Sequence, residues 1–225
     1  MTTTAMQVTL GAALALTSLL GGLTAGAQDV VRRGFATPIP EPTWLAMQGK
    51  SWHASLGCPA RAQLALLRVP YLDFEGRTQT GEMIVAQSVS RDVLGVFNEI
   101  FSSGEFRIAS MQLIDHFDGN DDRSMAANNT SGFNCRTVTG GTRLSEHSFG
   151  KAIDINPVQN PYVTRNGTEP PAGAAYDRPS KRQGAQIGLI REGDVVTRAF
   201  ARIGWKWGGA WQSLKDYQHF SLSGR

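Results

Sequence analysis

Two short segments in the second half of the chain carry side chains that could bind a metal ion. Residues 145–154 contain His147 and Asp154, and residues 216–219 contain His219. Two imidazoles and one carboxylate form the ligand set of a catalytic zinc, which has three protein ligands and keeps its fourth position open. Zinc in such a site polarises a carbonyl and lowers the pKa of bound water to about 7, which suits amide hydrolysis. These residue types therefore indicate a hydrolytic zinc site with His147, Asp154 and His219 as candidate ligands.

A hydrolytic zinc site also needs a carboxylate base beside the attacking water. Asp216 precedes His219 by three residues and is the candidate, although it is one methylene shorter than the glutamate usual in such sites. The remaining histidines, His53 and His116, have no partner pattern around them. We therefore predict Asp216 as the base and assign no role to these two histidines.

Two other chemistries are alternatives to zinc hydrolysis. The acidic stretch 118–122 lacks the spacing and the terminal glutamate of an EF-hand, so a solvated loop is favoured over a calcium site. Ser145 and Ser148 lack the G-x-S-x-G elbow of a serine hydrolase. These serines are expected to orient His147 or its loop.

Two predicted strands, at 151–156 and 217–222, must position the candidate ligands. Their core-facing positions hold large apolar residues: Ile153, Ile155, Phe220 and Leu222. Asp154 and His219 then lie on the opposite faces, because side chains alternate along a strand. If the two strands are neighbours, both side chains share one face of a sheet, and His147 could return there across a glycine-containing turn.

The rest of the chain predicts one α+β domain. The expected elements are strands at 64–73, 81–89 and 106–114, a helix capped by Ser90, a helix at 194–203, and long irregular segments at 115–144 and 157–184. In the helix that follows Ser90, apolar residues recur at the spacing of one buried stripe. The loop at 157–184 could overhang a cleft, and Trp207 and Trp211 could line its groove.

The composition is that of an ordinary globular protein. The chain has 225 residues, of which 41% are hydrophobic and 18% charged, and this excludes collagen-like and disordered classes. Lys and Arg number 22 against 19 Asp and Glu, for a net charge of +3, and these charges are scattered. The sequence therefore does not support binding to nucleic acid, and we expect a monomer.

The N-terminus resembles a secretory signal peptide. Residues 1–27 contain no Lys, Arg, Asp or Glu, and an apolar stretch at 10–20 precedes an A-x-A pattern that ends before Gln28. An uncleaved anchor is the alternative, but the apolar stretch is short for a span and is followed by Gly21 and Gly22. We expect a protein that is secreted or wall-associated, without a membrane anchor after cleavage.

Export determines how the two cysteines are interpreted. Cys58 and Cys135 are too far apart for a CxxC motif, and in an oxidising compartment two cysteines most simply form one disulfide. Two unrelated buried thiols are the alternative. After the signal peptide at 1–27, we expect a Pro-rich N-terminal arm at 28–67 and a catalytic domain at 68–225.

The two candidate motifs also resemble those of a known enzyme family. Ser145-x-His-x-x-Gly-x-Ala-x-Asp154, followed by Asp216-Tyr-Gln-His-Phe220, is similar to the two zinc motifs of the D-alanyl-D-alanine carboxypeptidase and L-alanyl-D-glutamate endopeptidase family of bacterial wall metallopeptidases. Further segments resemble the branch near phage endolysin peptidases and vancomycin-resistance-type carboxypeptidases: 122–125, 128–136, 154–157 and 160–163. The resemblance covers roughly residues 68–222.

The resemblance implies a fold and roles for individual residues. The fold is α+β, similar to Hedgehog domains, with a small antiparallel sheet that carries zinc on one face and helices on the other. His147, Asp154 and His219 would bind zinc, and Asp216 would be the catalytic base. An upstream arginine would stabilise the oxyanion or bind a substrate carboxylate; Arg136 is the first choice and Arg123 the second, and either could instead be a surface charge.

The expected function is that of a secreted zinc peptidase acting on peptidoglycan stem peptides. Two cuts are possible, the D-Ala-D-Ala bond or the L-Ala-D-Glu bond, and the sequence does not decide between them. The alternative from another class is a non-catalytic zinc-containing module that binds the cell wall or another ligand. Loss of the base would mark that module, and the presence of Asp216 favours an enzyme. A zinc-free structural domain would require both motifs to arise by chance.

Overall fold

The computed structural model describes residues 1–2, 33–138 and 141–224. The predicted signal peptide, apart from its first two residues, lies outside the described residues. Among the helices of the described ranges, none is both long enough and apolar enough to cross a membrane.

Three small antiparallel sheets form the β-structure of the described residues. The first sheet has the order β1-β2-β3, with β1 at Phe35–Pro38, β2 at Leu64–Leu72 and β3 at Thr78–Ala86. The second has the order β4-β9-β7, with β4 at Ala152–Asp154, β7 at Lys206–Trp207 and β9 at His219–Ser221. The third has the order β6-β5-β8, with β5 at Tyr162–Val163, β6 at Thr168–Glu169 and β8 at Lys215–Asp216. The predicted mixture of helices with antiparallel strands is confirmed, although the strands form three small sheets.

Four helices accompany these sheets in the described ranges: α1 at Glu41–Met47, α2 at Ser90–Ser103, α3 at Asp121–Ala126 and α4 at Val195–Arg202. The apolar stripe predicted for α2 is confirmed, since Val93, Val96, Phe97 and Ile100 are buried. Ser90 does not cap this helix as predicted, because its hydroxyl donates to the Gln87 carbonyl at 2.9 Å and the N-cap position is Val89. In α4, by contrast, the Asp194 side chain accepts a hydrogen bond from the Thr197 N–H, as a capping residue does.

The main core packs α2 and α4 against the first and second sheets. Its centre is aromatic, with the rings of Phe200 and Phe220 stacked 4.2 Å apart and Phe97 meeting Phe200 edge to face. Ile153 and Phe220 are cross-strand partners in β4 and β9, and both belong to this core. Because these two side chains fix one face of the pair, the residues next to them in each strand must face the other way.

Two details of the predicted strands are wrong. Residues 106–114 form no strand, because only isolated hydrogen bonds, such as that from the Ile108 N–H to the Leu72 carbonyl, join them to the first sheet. Leu222 does not reach the core and is 42% exposed, since β9 ends at Ser221. The irregular segment 115–144 contains the short helix α3, which the Asn120 side chain caps.

The described part of residues 28–67 is integrated into the fold. β1 pairs with β2 from Phe35↔Arg68 to Pro38↔Ala65, and α1 follows it directly. Trp44 and Trp52, whose rings lie 4.9 Å apart, pack against a second apolar cluster that includes Ile39, Met47, Leu66 and Phe133. The division between arm and domain after residue 67 remains a prediction, and β2 runs across that position.

A disulfide ties this N-terminal region to the second half of the chain. The predicted pair, Cys58 and Cys135, is bonded, with Cα atoms 6.0 Å apart and a sequence separation of 77. We expect no titratable thiol in the denatured, non-reduced protein. Replacing both cysteines with serine should lower the free energy of unfolding by about 4 kcal/mol, because the cross-link restricts the unfolded chain. Thiol titration and thermal melts test this, and two reactive thiols would contradict the bridge.

Candidate metal centre

Three different elements bring the predicted ligands together. His147 lies in a short 3-10 turn at Glu146–Phe149, Asp154 is the last residue of β4 and His219 is the first residue of β9. Asp154 and His219 are direct cross-strand partners, so the predicted sharing of one sheet face is confirmed. All three side chains are buried, and each is at most 6% exposed.

The donor atoms of these residues converge on one point. His147 Nε2 lies 3.1 Å from Asp154 Oδ2, His219 Nδ1 lies 3.0 Å from Asp154 Oδ1, and the two ring nitrogens are 3.3 Å apart. Zinc binds such donors at about 2.0–2.2 Å, so the ligand atoms of a tetrahedral site lie about 3.3–3.5 Å from one another. The separations and the donor chemistry therefore fit a zinc ion held by three protein ligands.

The orientation of His147 is fixed by its surroundings. Its Nδ1 lies 2.7 Å from the Gly132 carbonyl, which accepts a hydrogen bond from Nδ1–H, so Nε2 is the nitrogen that faces Asp154 and His219. The turn is closed by Ser145, whose hydroxyl accepts from the His147 N–H, as the sequence predicts for this serine. Gly150 then reverses the chain at φ +64°, where an added Cβ would lie 2.4 Å from the Ala86 nitrogen. Only glycine fits at this position.

The cluster keeps Asp154 ionised. Burial on its own would raise the pKa of the Asp154 carboxyl, but the charges and hydrogen bonds of His147 and His219 outweigh it. The pKa of Asp154 therefore lies well below its ordinary value. A permanent carboxylate between two imidazoles is the charge state that a divalent cation requires.

Asp216 lies beside this cluster, and its pKa is shifted in the opposite direction from that of Asp154. Burial raises the pKa of Asp216 to about 7, and the nearby charge of Asp154 adds to the rise. Its Oδ1 atom is buried and has no hydrogen-bond partner within the described ranges. Gly208 packs directly behind it, where an added Cβ would lie 2.9 Å from the Asp216 Cβ and 3.3 Å from that of His219. A carboxyl group with a pKa near neutrality can both accept and donate a proton in a reaction.

The cluster and Asp216 line a cavity of about 480 Å³. Arg136 also lines the cavity, and its guanidinium forms an ion pair with Asp121 of α3. Arg123, the second candidate, has a side chain that is 66% exposed, pairs with Asp118 and is absent from the cavity wall. Of the two arginines, only Arg136 is in a position to meet a bound substrate.

The two tryptophans of the predicted groove have different positions. Trp211 lines the cavity, with its ring 5.6 Å from that of His219. Trp207 lies behind the site, where it packs against the main core and its Nε1–H donates to the Tyr217 carbonyl at 2.8 Å. The predicted contribution to a groove therefore holds for Trp211 and is wrong for Trp207.

The residues from β5 to β6 form part of the cavity wall, in line with the expectation that the loop at 157–184 lies at a cleft. Tyr162 and Glu169 line the cavity, as does Arg143 near the first motif. Part of the irregular segment 157–184 therefore borders the cleft. The sequence signal for this part of the wall is the segment 160–163, which resembles the branch near phage endolysin peptidases. The resemblance assigned no role to its residues.

Comparison with known proteins locates the same region. Residues 139–222 match a family model described as D-alanyl-D-alanine carboxypeptidase. This part of the chain is similar to those peptidases. The matched stretch contains all four acidic and imidazole residues of the site: His147, Asp154, Asp216 and His219. No curated protein and no solved structure matches the chain. The match supports the resemblance of the two motifs to that family of metallopeptidases.

Proposed function

We propose that the chain is a secreted zinc-dependent peptidase that hydrolyses amide bonds in the stem peptides of peptidoglycan. The observation that carries the proposal is the convergence of His147, Asp154 and His219 at a cavity that Asp216, whose Oδ1 atom is buried, also lines. The match to D-alanyl-D-alanine carboxypeptidases supports the substrate class. The disulfide between Cys58 and Cys135 supports an oxidising, extracytoplasmic compartment.

Each residue of the site has a distinct task in this proposal. A zinc ion bound to the three ligands would polarise the scissile carbonyl and make water nucleophilic near neutral pH. Asp216 accepts a proton from the attacking water and passes it to the nitrogen of the leaving amine. Arg136 stabilises negative charge as it develops on the carbonyl oxygen. The ion pair with Asp121 holds the guanidinium of Arg136 at the cavity wall.

The alternative is a non-catalytic module that binds zinc and the cell wall. A module that only binds does not require a carboxyl group with a raised pKa beside its metal ligands. Desolvating Asp216 without a hydrogen-bond partner for Oδ1 costs stability, and a proton-transfer role explains why the residue is there. Asp216 therefore favours an enzyme over a binding module.

The proposal is tested by mass spectrometry of defined muropeptides incubated with the purified mature protein. We expect cleavage that a zinc chelator stops and that added zinc restores. Loss of one terminal D-Ala would identify a carboxypeptidase, and separation of L-Ala from D-Glu would identify an endopeptidase. A folded, zinc-loaded protein that cleaves no stem peptide would overturn the proposal in favour of the binding module.

A further inference from the structure

The third sheet places Tyr162 beside the proposed base. Tyr162 is the direct cross-strand partner of Glu169 in β6 and of Asp216 in β8. Directly opposed residues of antiparallel strands point to the same face, with Cβ atoms about 4.5–5.5 Å apart. All three residues line the cavity, so they form a row across one wall in the order Glu169, Tyr162, Asp216.

The phenol of Tyr162 is available to a ligand. Among the described residues, nothing forms a hydrogen bond with its hydroxyl, although two carboxylates flank it. Burial, together with the charges of Asp216 and Glu169, raises the pKa of this phenol. The hydroxyl therefore keeps its proton over the whole range in which a zinc peptidase works, and it acts as a neutral hydrogen-bond donor.

The backbone that carries Tyr162 is held rigidly from behind. The Asn160 side chain donates to the Gly188 carbonyl at 2.9 Å and accepts from Arg182 at 3.1 Å. Arg182 also donates to the Gln159 carbonyl at 2.7 Å, and its guanidinium stacks 3.9 Å from the centre of the Tyr217 ring. The residues that flank Tyr162 and Asp216 are thus tied to one buried network centred on Arg182.

The position of Asp216 indicates which part of a substrate Tyr162 meets. The proton that Asp216 delivers goes to the leaving amine, so the leaving residue must lie on the Asp216 side of the cavity. The Tyr162 ring is longer than the Asp216 side chain and stands next to it on the same wall. From this pairing we expect the hydroxyl to reach beyond the carboxylate, toward the part of the leaving residue that follows its nitrogen.

We propose that the Tyr162 hydroxyl donates a hydrogen bond to the carbonyl or carboxylate oxygen of the substrate residue that leaves as the amine. This inference rests on the proposed peptidase function and adds a residue that touches the substrate. The contact holds the leaving nitrogen within reach of Asp216. It also gives the segment 160–163 a function, because Asn160 fixes the backbone from which Tyr162 projects.

The test combines a residue change with a substrate change. Tyr162→Phe removes only the hydroxyl, and a second substrate carries a leaving amine without the carbonyl or carboxylate oxygen. We expect Tyr162→Phe to lower kcat/KM about tenfold on the complete substrate, the loss for one hydrogen bond to a partly charged acceptor. On the shortened substrate, the variant and the wild type should differ less than twofold, because the contact is already absent.

Controls separate this contact from a structural effect. Tyr176→Phe removes a phenol hydroxyl outside the cavity wall and should leave kcat/KM unchanged. Zinc content and melting temperature of Tyr162→Phe should equal those of the wild type. Equal rates for Tyr162→Phe and wild type on the complete substrate, or the same tenfold loss on both substrates, would overturn the contact. A wild type that cleaves no stem peptide would overturn the proposed function itself and this contact with it.

Discussion

The His147→Ala protein is expected to lose both its zinc and its peptidase activity. Removing one of three ligands leaves Asp154 and His219 to hold the ion, and it also removes the imidazole nitrogen that lies 3.1 Å from Asp154 Oδ2. Even outer partners of a zinc site contribute about 10–100-fold to metal affinity, so the loss of a direct ligand should exceed a hundredfold. Zinc content after dialysis, measured by mass spectrometry of the metal, gives the answer directly.

A matched control uses a histidine outside the site. His116 is the exposed residue of the 3-10 turn at Ile114–Phe117, and it does not line the cavity. The His116→Ala protein should retain one zinc per chain and full activity. His147→Ala protein that still binds one zinc per chain with wild-type affinity would remove His147 from the ligand set. The same comparison applies to His219→Ala.

The Asp216→Asn protein is expected to keep its zinc and to lose turnover by about 10²–10⁴-fold, the range for a missing general acid–base group. Asparagine has the shape of aspartate but cannot take a proton from water. Asp216 is also outside the group of three converging donors, so metal affinity should change little. Measured kcat and zinc content distinguish these effects, and a variant with wild-type kcat would exclude Asp216 as the base.

The raised pKa of Asp216 can also be tested without metal or substrate, by comparing the melting temperatures of the wild type and Asp216→Asn. In the metal-free protein, burial raises the pKa of Asp216 from 3.8 to about 7. Because the folded-state pKa is raised, the stability associated with the neutral carboxyl is complete below the ordinary pKa and is lost as pH rises through 7. The melting temperature of the metal-free wild type should therefore fall by several degrees between about pH 5 and about pH 8. Asp216→Asn should largely remove this fall, and an equal fall in both proteins would contradict the raised pKa.

The parts of the fold that were predictable are those with a repeating pattern. Val93, Val96, Phe97 and Ile100 recur at helical spacing, and the structure buries them as one stripe in α2. The alternation around Ile153 was sufficient to place Asp154 on the face away from the core. The grouping of the metal ligands could be predicted for the same reason, because large apolar residues define the core-facing side of both strands.

The parts that were missed have no such pattern. β5, β6 and β8 contain two residues each, which is too short for alternation to be visible in a sequence. Tyr162 therefore reaches the cavity through pairing between segments that look irregular. Leu222 was misplaced for a related reason, because the pattern could not show that β9 ends one residue earlier. The buried Arg182 network was not predicted, since a guanidinium that binds carbonyl groups has no characteristic spacing.

The position of β1 has a consequence for how this protein can be shortened. β1 covers one side of the nine-residue strand β2 with backbone hydrogen bonds along Phe35–Pro38. A fragment that starts at residue 68 would lack β1 and the first half of β2, and it would leave Cys135 without its partner. The sheet would then present an unpaired, apolar edge, which is a template for strand addition between molecules. We expect such a fragment to self-associate through this exposed edge, whereas a fragment that begins before Phe35 retains the pairing of β1 with β2.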